Sequence, residues 1–329
     1  MERISTHIST DGFEGILYPV TNRKDKVIIV VSGSNGGLTM TRQCAEFYAE
    51  SGIPSLALAL FKTKETPKDL SCIPIEYVEL AIKYLKNMGY KNIGIDGMSK
   101  GSELALLSAT MFKDLTCVIA RVPSHFVSEG LISKKPSGTS CWSYQEKEIP
   151  FARYKSRDFN IPKMLIKERE WNLLDINRDK KVTSESIIPV EKINGAVLLL
   201  SSINDTVWSS FQSSQYIENR LKEKDFAFPH KHIAFPNMSH IMLTDISDTM
   251  KILFKSERKN KVQCKSEREE LKKELLNWVE KVWNNQIEKD AQVMDKEDKM
   301  EHSKNEIGIP SRVKILKREI DTNNNSLER

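Results

Sequence analysis

The chain is predicted to be an α/β domain: a mostly parallel, twisted sheet with helices on both faces and a lid-like insertion. Three observations carry this. Short β-branched runs alternate with longer helical patterns, which is how a parallel sheet is written in sequence. Runs such as Val27-Ile28-Ile29-Val30-Val31 and Ala196-Val197-Leu198-Leu199-Leu200 are apolar throughout, as strands buried on both faces require. Between Pro123 and Pro189 the rhythm breaks into a polar stretch dotted with Trp142, Tyr144, Phe151, Tyr154 and Trp171.

In order, segments 3–9 and 15–20 read as an antiparallel pair at the sheet edge. A strand over 27–32, a helix over 39–50, a strand over 55–61 and a helical pattern over 68–88 follow. Next come a strand at 92–96, a helix from Lys100 to Phe112 and a strand at 115–121. The insertion, about 123–189, leaves a strand end and is long enough to overhang a site, which makes a lid or cap the expected role and a surface insertion the alternative. Strands at 196–202 and 232–235 flank a helix near 209–224. Composition turns charge-rich after Lys255, with a variable charged segment at about 255–267. Within 268–287, Leu271, Leu275, Leu276, Trp278, Val279, Val282 and Trp283 share one helical face, so a last helix docks on the sheet. The domain is expected to span 1–288, and the polar remainder, 289–329, to be largely disordered.

Composition narrows the function classes. The 329 residues are 39% hydrophobic and 29% charged, enough for one sizeable core. A formal net charge of +5 with interleaved signs gives no case for nucleic acid and at most favours anionic substrates. The five cysteines have neither metal-like spacing nor an even count, so they are expected to be reduced. With no apolar leader or membrane-length run, a cytoplasmic protein without membrane association is expected.

Gly97-Met98-Ser99-Lys100-Gly101 joins a strand directly to a helix, the context of a G-x-S-x-G nucleophile elbow. The turn is so tight that side chains two positions either side of the serine would collide with strand and helix. A serine hydroxyl is a weak nucleophile at neutral pH and needs a histidine base, itself oriented by a carboxylate. Of the six histidines, His7 precedes the core, His302 lies in the tail, and His230 and His232 flank or enter a strand. His240, in Pro236-Asn237-Met238-Ser239-His240 just past a strand end, is the expected base; a surface loop histidine is the alternative. Asp205 ends the preceding strand and completes the chain order Ser, acid, His, which makes it the expected acid; a cap for the next helix is the alternative, and it would not explain the match to His240. Asp225, Asp245 and Asp248 compete less well because none follows a comparable strand.

An acyl-transfer oxyanion needs two backbone N–H donors. Lys100 supplies one, and the loop Ser32-Gly33-Ser34-Asn35-Gly36-Gly37 supplies the other, assigned to Ser34 with Asn35 as the close second. That loop lacks the spacing of a dinucleotide or P-loop motif, so no nucleotide cofactor is expected. Asp175-Ile176-Asn177-Arg178-Asp179 has the alternating oxygens of a calcium loop, but Lys180 replaces the turn glycine and Ser186 the bidentate glutamate. A solvated turn is expected there and no metal.

Together these residues resemble the C-terminal catalytic domain shared by acyl-CoA thioesterases and bile acid-CoA:amino acid N-acyltransferases, within the α/β-hydrolase superfamily. The resemblance covers roughly residues 27–287. It rests on the 32–37 loop, on Gly94-Ile95-Asp96-Gly97-Met98-Ser99-Lys100-Gly101-Ser102-Glu103-Leu104, on Ile188-Pro189-Val190-Glu191-Lys192-Ile193-Asn194-Gly195 and on Asp205-Thr206-Val207-Trp208-Ser209-Ser210. It implies the same nucleophile, acid and base, Ser99, Asp205 and His240, and an acyl-CoA substrate with no cofactor. The chain departs from the family in having only a short edge segment where better-known members carry an N-terminal β-sandwich, and in a His240 loop without the usual glycines. Because the transferases resemble one another in using cysteine at the elbow, serine implies hydrolysis. A carboxylesterase, an N-acyltransferase and a hydrolase-fold binding module with little turnover are the alternatives.

Overall fold

The computed structural model describes residues 1–155, 165–166, 168–178 and 180–289. Residues Met1–Trp283 form one compact unit; Asn284–Arg329 form another, described only as far as residue 289, so the expected disordered tail falls almost wholly outside the described residues. The centre is an eight-stranded sheet. Its strands are β1 (Ile4–Thr6), β2 (Gly15–Tyr18), β3 (Lys26–Val31), β4 (Ser55–Leu58), β5 (Asn92–Met98), β6 (Leu115–Arg121), β7 (Ala196–Ser202) and β8 (His230–Phe235). They lie side by side as β1-β2-β4-β3-β5-β6-β7-β8. The β1–β2 and β2–β4 pairs are antiparallel, and every pair from β4 to β8 is parallel. The parallel strands β3, β4 and β7 are buried at every position, which explains their unbroken apolar runs.

The chain leaves β3 towards β4 and leaves β5 towards β6, so the strand order reverses between β3 and β5. Loops diverge at such a reversal and open a crevice at the carboxyl ends of the strands. Helices α1 (Thr39–Glu50), α2 (Glu76–Asn87), α3 (Lys100–Met111), α4 (Ser210–Glu223) and α5 (Lys261–Asn277) connect or flank the strands. In α1 the buried positions Thr41, Cys44, Ala45, Tyr48 and Ala49 recur at three and four residues, one face against the sheet. By contrast α3 is buried from Lys100 to Ala109, a central helix covered on all sides.

The helix expected over 68–88 starts only at Glu76. Pro74 lies in a short strand, Ile73–Pro74, that pairs in parallel with Trp142–Tyr144. Proline lacks the N–H and clashes with a preceding helical turn, so the helix cannot extend back through it. The insertion is partly β-structured: Glu129–Ile132 pairs with Lys135–Ser140, and Trp142–Tyr144 pairs with Lys147–Glu148. Leu174–Arg178 is helical where the calcium-like string suggested a turn, and the Asn177 amide donates to the carbonyls of Leu173 and Val207.

After α5 the chain continues through a π-helical turn, Trp278–Val282. The buried Lys26 ammonium donates to the Val279 carbonyl at 3.1 Å and to Glu280 at 3.0 Å. Trp283, fully buried, donates through Nε1 to Thr116 Oγ1 at 3.1 Å. Among the described residues no helix is long and apolar enough to cross a membrane.

Candidate active site

Ser99 sits between β5 and α3 at φ 60°, ψ −120°, a conformation that L-residues rarely adopt. The glycines around it are there for space. A Cβ at Gly97 would lie 2.1 Å from the Gly101 carbonyl oxygen, and one at Gly101 would lie 2.5 Å from that of Ser32. A Cβ at Gly33 would lie 2.9 Å from Ser99 Cβ, so the loop after β3 runs directly against the elbow. Ser34, the next residue, is exposed at that crossing. Lys100 opens α3, where the first N–H groups have no carbonyl of their own helix to reach.

The structure brings Ser99, His240 and Asp205 together from three strand ends. Ser99 Oγ lies 2.8 Å from His240 Nε2, and His240 Nδ1 lies 2.9 Å from both Asp205 carboxylate oxygens. All three residues are buried. Asp205 Oδ1 also accepts from the backbone N–H groups of Val207 at 2.9 Å and Trp208 at 3.2 Å. Asp205 thus holds the backbone turn ahead of α4 while facing the histidine, but it is not the helix cap: α4 starts at Ser210, with Ser209 at the cap position. Trp208 stands edge-on to the imidazole, ring centroids 4.9 Å apart, and its own Nε1 donates to the Val122 carbonyl at 3.0 Å. The ring is thus fixed in plane as well as in direction.

Beneath the elbow lies a buried ion pair that sequence reasoning missed. Asp96, three residues before Ser99, accepts from Arg121 Nε at 2.9 Å, from Arg121 Nη2 and from the Tyr48 hydroxyl at 2.7 Å. Arg121 Nη1 also donates to the Met242 carbonyl at 3.3 Å, just beyond His240. One guanidinium thereby links β5, β6, α1 and the histidine loop. Burial opposes its charge, but Asp96 outweighs that and keeps Arg121 protonated.

The histidine loop lacks glycine but has a brace. Glu257 accepts from Ser239 N at 3.1 Å and Ser239 Oγ at 2.8 Å, and is paired with Arg268 at 2.7 Å. Glu267 accepts from the backbone N–H groups of Asn237 and Met238, at 3.0 and 2.8 Å. The charge-rich segment after Lys255 thus carries buried carboxylates that hold the loop; the signal in sequence was charge itself, which most often marks a solvated face. On the far side, Glu103 in α3 accepts from Ser128 N and Oγ, both at 2.9 Å, and from Trp142 Nε1 at 2.8 Å, fastening the insertion to the helix that follows Ser99. Lys100 Nζ approaches the same carboxylate at 3.3 Å. In the insertion Lys180 is buried 4.3 Å from the Tyr154 ring centroid, and burial with the nearby Lys100 charge pushes its ammonium well below the usual lysine range. Among the described residues no group of histidine, cysteine or acidic side chains could hold a metal ion.

The sequence profile described as BAAT / Acyl-CoA thioester hydrolase C terminal matches residues 73–257, more than half of the chain. The chain belongs to that family. Curated relatives of this thioester hydrolase family chain include a peroxisomal succinyl-coenzyme A thioesterase of Mus musculus, 28% identical over 65% of this chain and 48% of that protein. Acyl-coenzyme A thioesterase 1 of Rattus norvegicus is 29% identical over the same shares. The chain spans about half the length of the curated relatives it matches. Among solved structures, the Pyrococcus furiosus esterase Pf2001 superposes with a TM-score of 0.55 at 15% identity, over 86% of this chain and 92% of that one. That likeness gives the fold, an α/β hydrolase, and the family match gives the lineage.

Proposed function

We propose that the chain is a serine hydrolase of acyl-CoA thioesters, with Ser99 as nucleophile, His240 as base and Asp205 as its orienting acid. The observation that carries this is the unbroken hydrogen-bonded line from Ser99 Oγ through His240 to Asp205, in a member of a thioester hydrolase family. His240 takes the Ser99 proton as Oγ attacks the thioester carbonyl. The backbone N–H groups of Lys100 and Ser34 receive the oxyanion. Collapse breaks the carbon–sulfur bond, His240 returns the proton to the departing CoA thiolate, and an acyl-serine remains. Water then loses a proton to His240 and attacks that ester, and the proton passes back to Ser99 Oγ as the carboxylic acid leaves. Asp205, acceptor-only while ionised, stabilises the imidazolium in both halves.

The insertion held by Glu103 serves in this reading as a cap over the acyl group. The odd number and irregular spacing of the five cysteines fit a reducing, cytoplasm-like setting. A fluorophosphonate probe is expected to label wild type and not Ser99→Ala, and the same substitution is expected to lower kcat by about 10⁴ to 10⁶. Absence of labelling in wild type would point to a binding module. An acyl-CoA is expected to exceed its oxygen-ester analogue in kcat/KM; the reverse order would make the chain a carboxylesterase. Glycine or taurine conjugates as the main product would make it a transferase.

A further inference from the structure

The basic stretch beyond the histidine loop has no part in the reaction above. Lys251, Lys255, Arg258, Lys259, Lys261 and Lys265 fall in it, and its glutamate, Glu257, is buried against Arg268 and so offsets little of that charge at the surface. Where this stretch faces the loop after β7, a cavity of about 270 Å³ opens to solvent, walled by Glu170, Asn204 and Thr206 on one side and by Lys255, Ser256, Lys259 and Asn260 on the other.

Three features of its walls point to an anion. Lys259 is exposed and has no ion pair among the described residues. Ser256 Oγ is buried without a hydrogen-bond partner among the described residues, a state that disfavours the fold unless something satisfies it. Lys255 stands 3.4 Å from Glu170, the carboxylate on the wall, so the balance of charge there remains positive. Two of the other polar groups are already engaged: Thr206 Oγ1 donates to the Trp171 carbonyl, and the Asn204 amide donates to that of Pro236. The cavity therefore presents two ammonium groups, with the unpartnered Ser256 hydroxyl just behind its wall.

Its position decides which anion. Asn204 and Thr206 flank Asp205, and only the imidazole and its two hydrogen bonds separate the Asp205 carboxylate from Ser99 Oγ. The CoA leaving group carries its phosphates at the far end of a flexible arm from the sulfur, so its charge must rest beside the site rather than in it. We propose that this cavity binds phosphate groups of the CoA moiety, with Lys259, Lys255 and Ser256 as donors; the assignment rests on the acyl-CoA reading.

The test compares one acyl group carried on CoA and on pantetheine, a thioester without phosphates. Wild type is expected to show a KM about tenfold lower for acyl-CoA than for acyl-pantetheine, with the advantage shrinking at high salt. Lys259→Glu is expected to bring that KM ratio close to one, and Glu170→Gln to widen it. A ratio near one in wild type, or a ratio that Lys259→Glu leaves unchanged, would overturn the cavity assignment while hydrolysis of both thioesters kept the thioesterase reading intact. If neither thioester is hydrolysed, that reading falls, and calorimetry with CoA itself decides the cavity: weaker binding to Lys259→Glu than to wild type supports it, and no binding to wild type ends it.

Discussion

Ser99 is held where glycine would be at ease and serine is not, and that conformation costs about 1–3 kcal/mol. Ser99→Gly, which removes the strain with the hydroxyl, is therefore expected to raise stability by about 1 kcal/mol, after the extra chain entropy of glycine is subtracted. A urea titration beside wild type checks it, and an unchanged or lower midpoint would mean that the turn is not strained. This residue was legible in sequence because chemistry and sterics fix its neighbours within five positions. Asp205 and His240 were legible because each follows an apolar strand in the required order. Arg121, Glu257 and Glu267 were not, because an ionic partner is chosen by the folded surface and not by spacing. Asp96 and Arg121 lie on separate strands that only the sheet makes neighbours.

At the level of elements, the parallel strands were readable from their apolar runs, whereas helix starts were set by local exceptions. Pro74 postponed α2 by a whole strand segment, and the insertion drew β-pairs out of sequence too polar to announce them. The histidine loop and α5 act as one element through Glu257, Glu267 and Arg268. Burial pushes the Glu257 carboxyl up, but Arg268 and Ser239 outweigh it and hold it below the usual carboxylate range. Glu257→Gln leaves the Arg268 charge unbalanced and is expected to cost about 3 kcal/mol of stability. It is also expected to lower kcat tenfold or more as His240 loses its fixed position. Denaturant titration and steady-state kinetics read the two effects, and a kcat equal to wild type would show that the loop holds itself.

Across the whole molecule, the reversal of strand order between β3 and β5 places the Gly33 loop and the Ser99 turn at one crevice, while the loops after β7 and β8 bring Asp205 and His240 to the same ends of the strands. Stability is expected to depend on pH through His125, which packs between Phe126 and Tyr216 and meets Ser213 Oγ at 3.0 Å. Burial lowers its pKa to about 4 from an ordinary 6.5. Between those values the unfolded chain binds the proton and the folded one does not, so stability rises with pH across that window, by at most about 3 kcal/mol. His125→Asn is expected to flatten the slope of urea midpoints between pH 4 and 6.5. An identical slope would place the acid sensitivity elsewhere.

The π-helical turn at Trp278–Val282 makes chain length there a matter of phase. Each residue of an α-helix advances the direction of a side chain by about 100°. The wider turn absorbs one extra residue, so that the Val279 carbonyl meets the Lys26 ammonium and Trp283 still reaches Thr116. Deleting one residue inside the turn would close it into ordinary α-helix with Trp283 still in phase, so the change would fall on the turn itself, where the Val279 carbonyl meets Lys26. Shortening by one residue is therefore expected to be tolerated at this turn and not in the regular helix before it, where the same deletion would rotate Trp283 by about 100°.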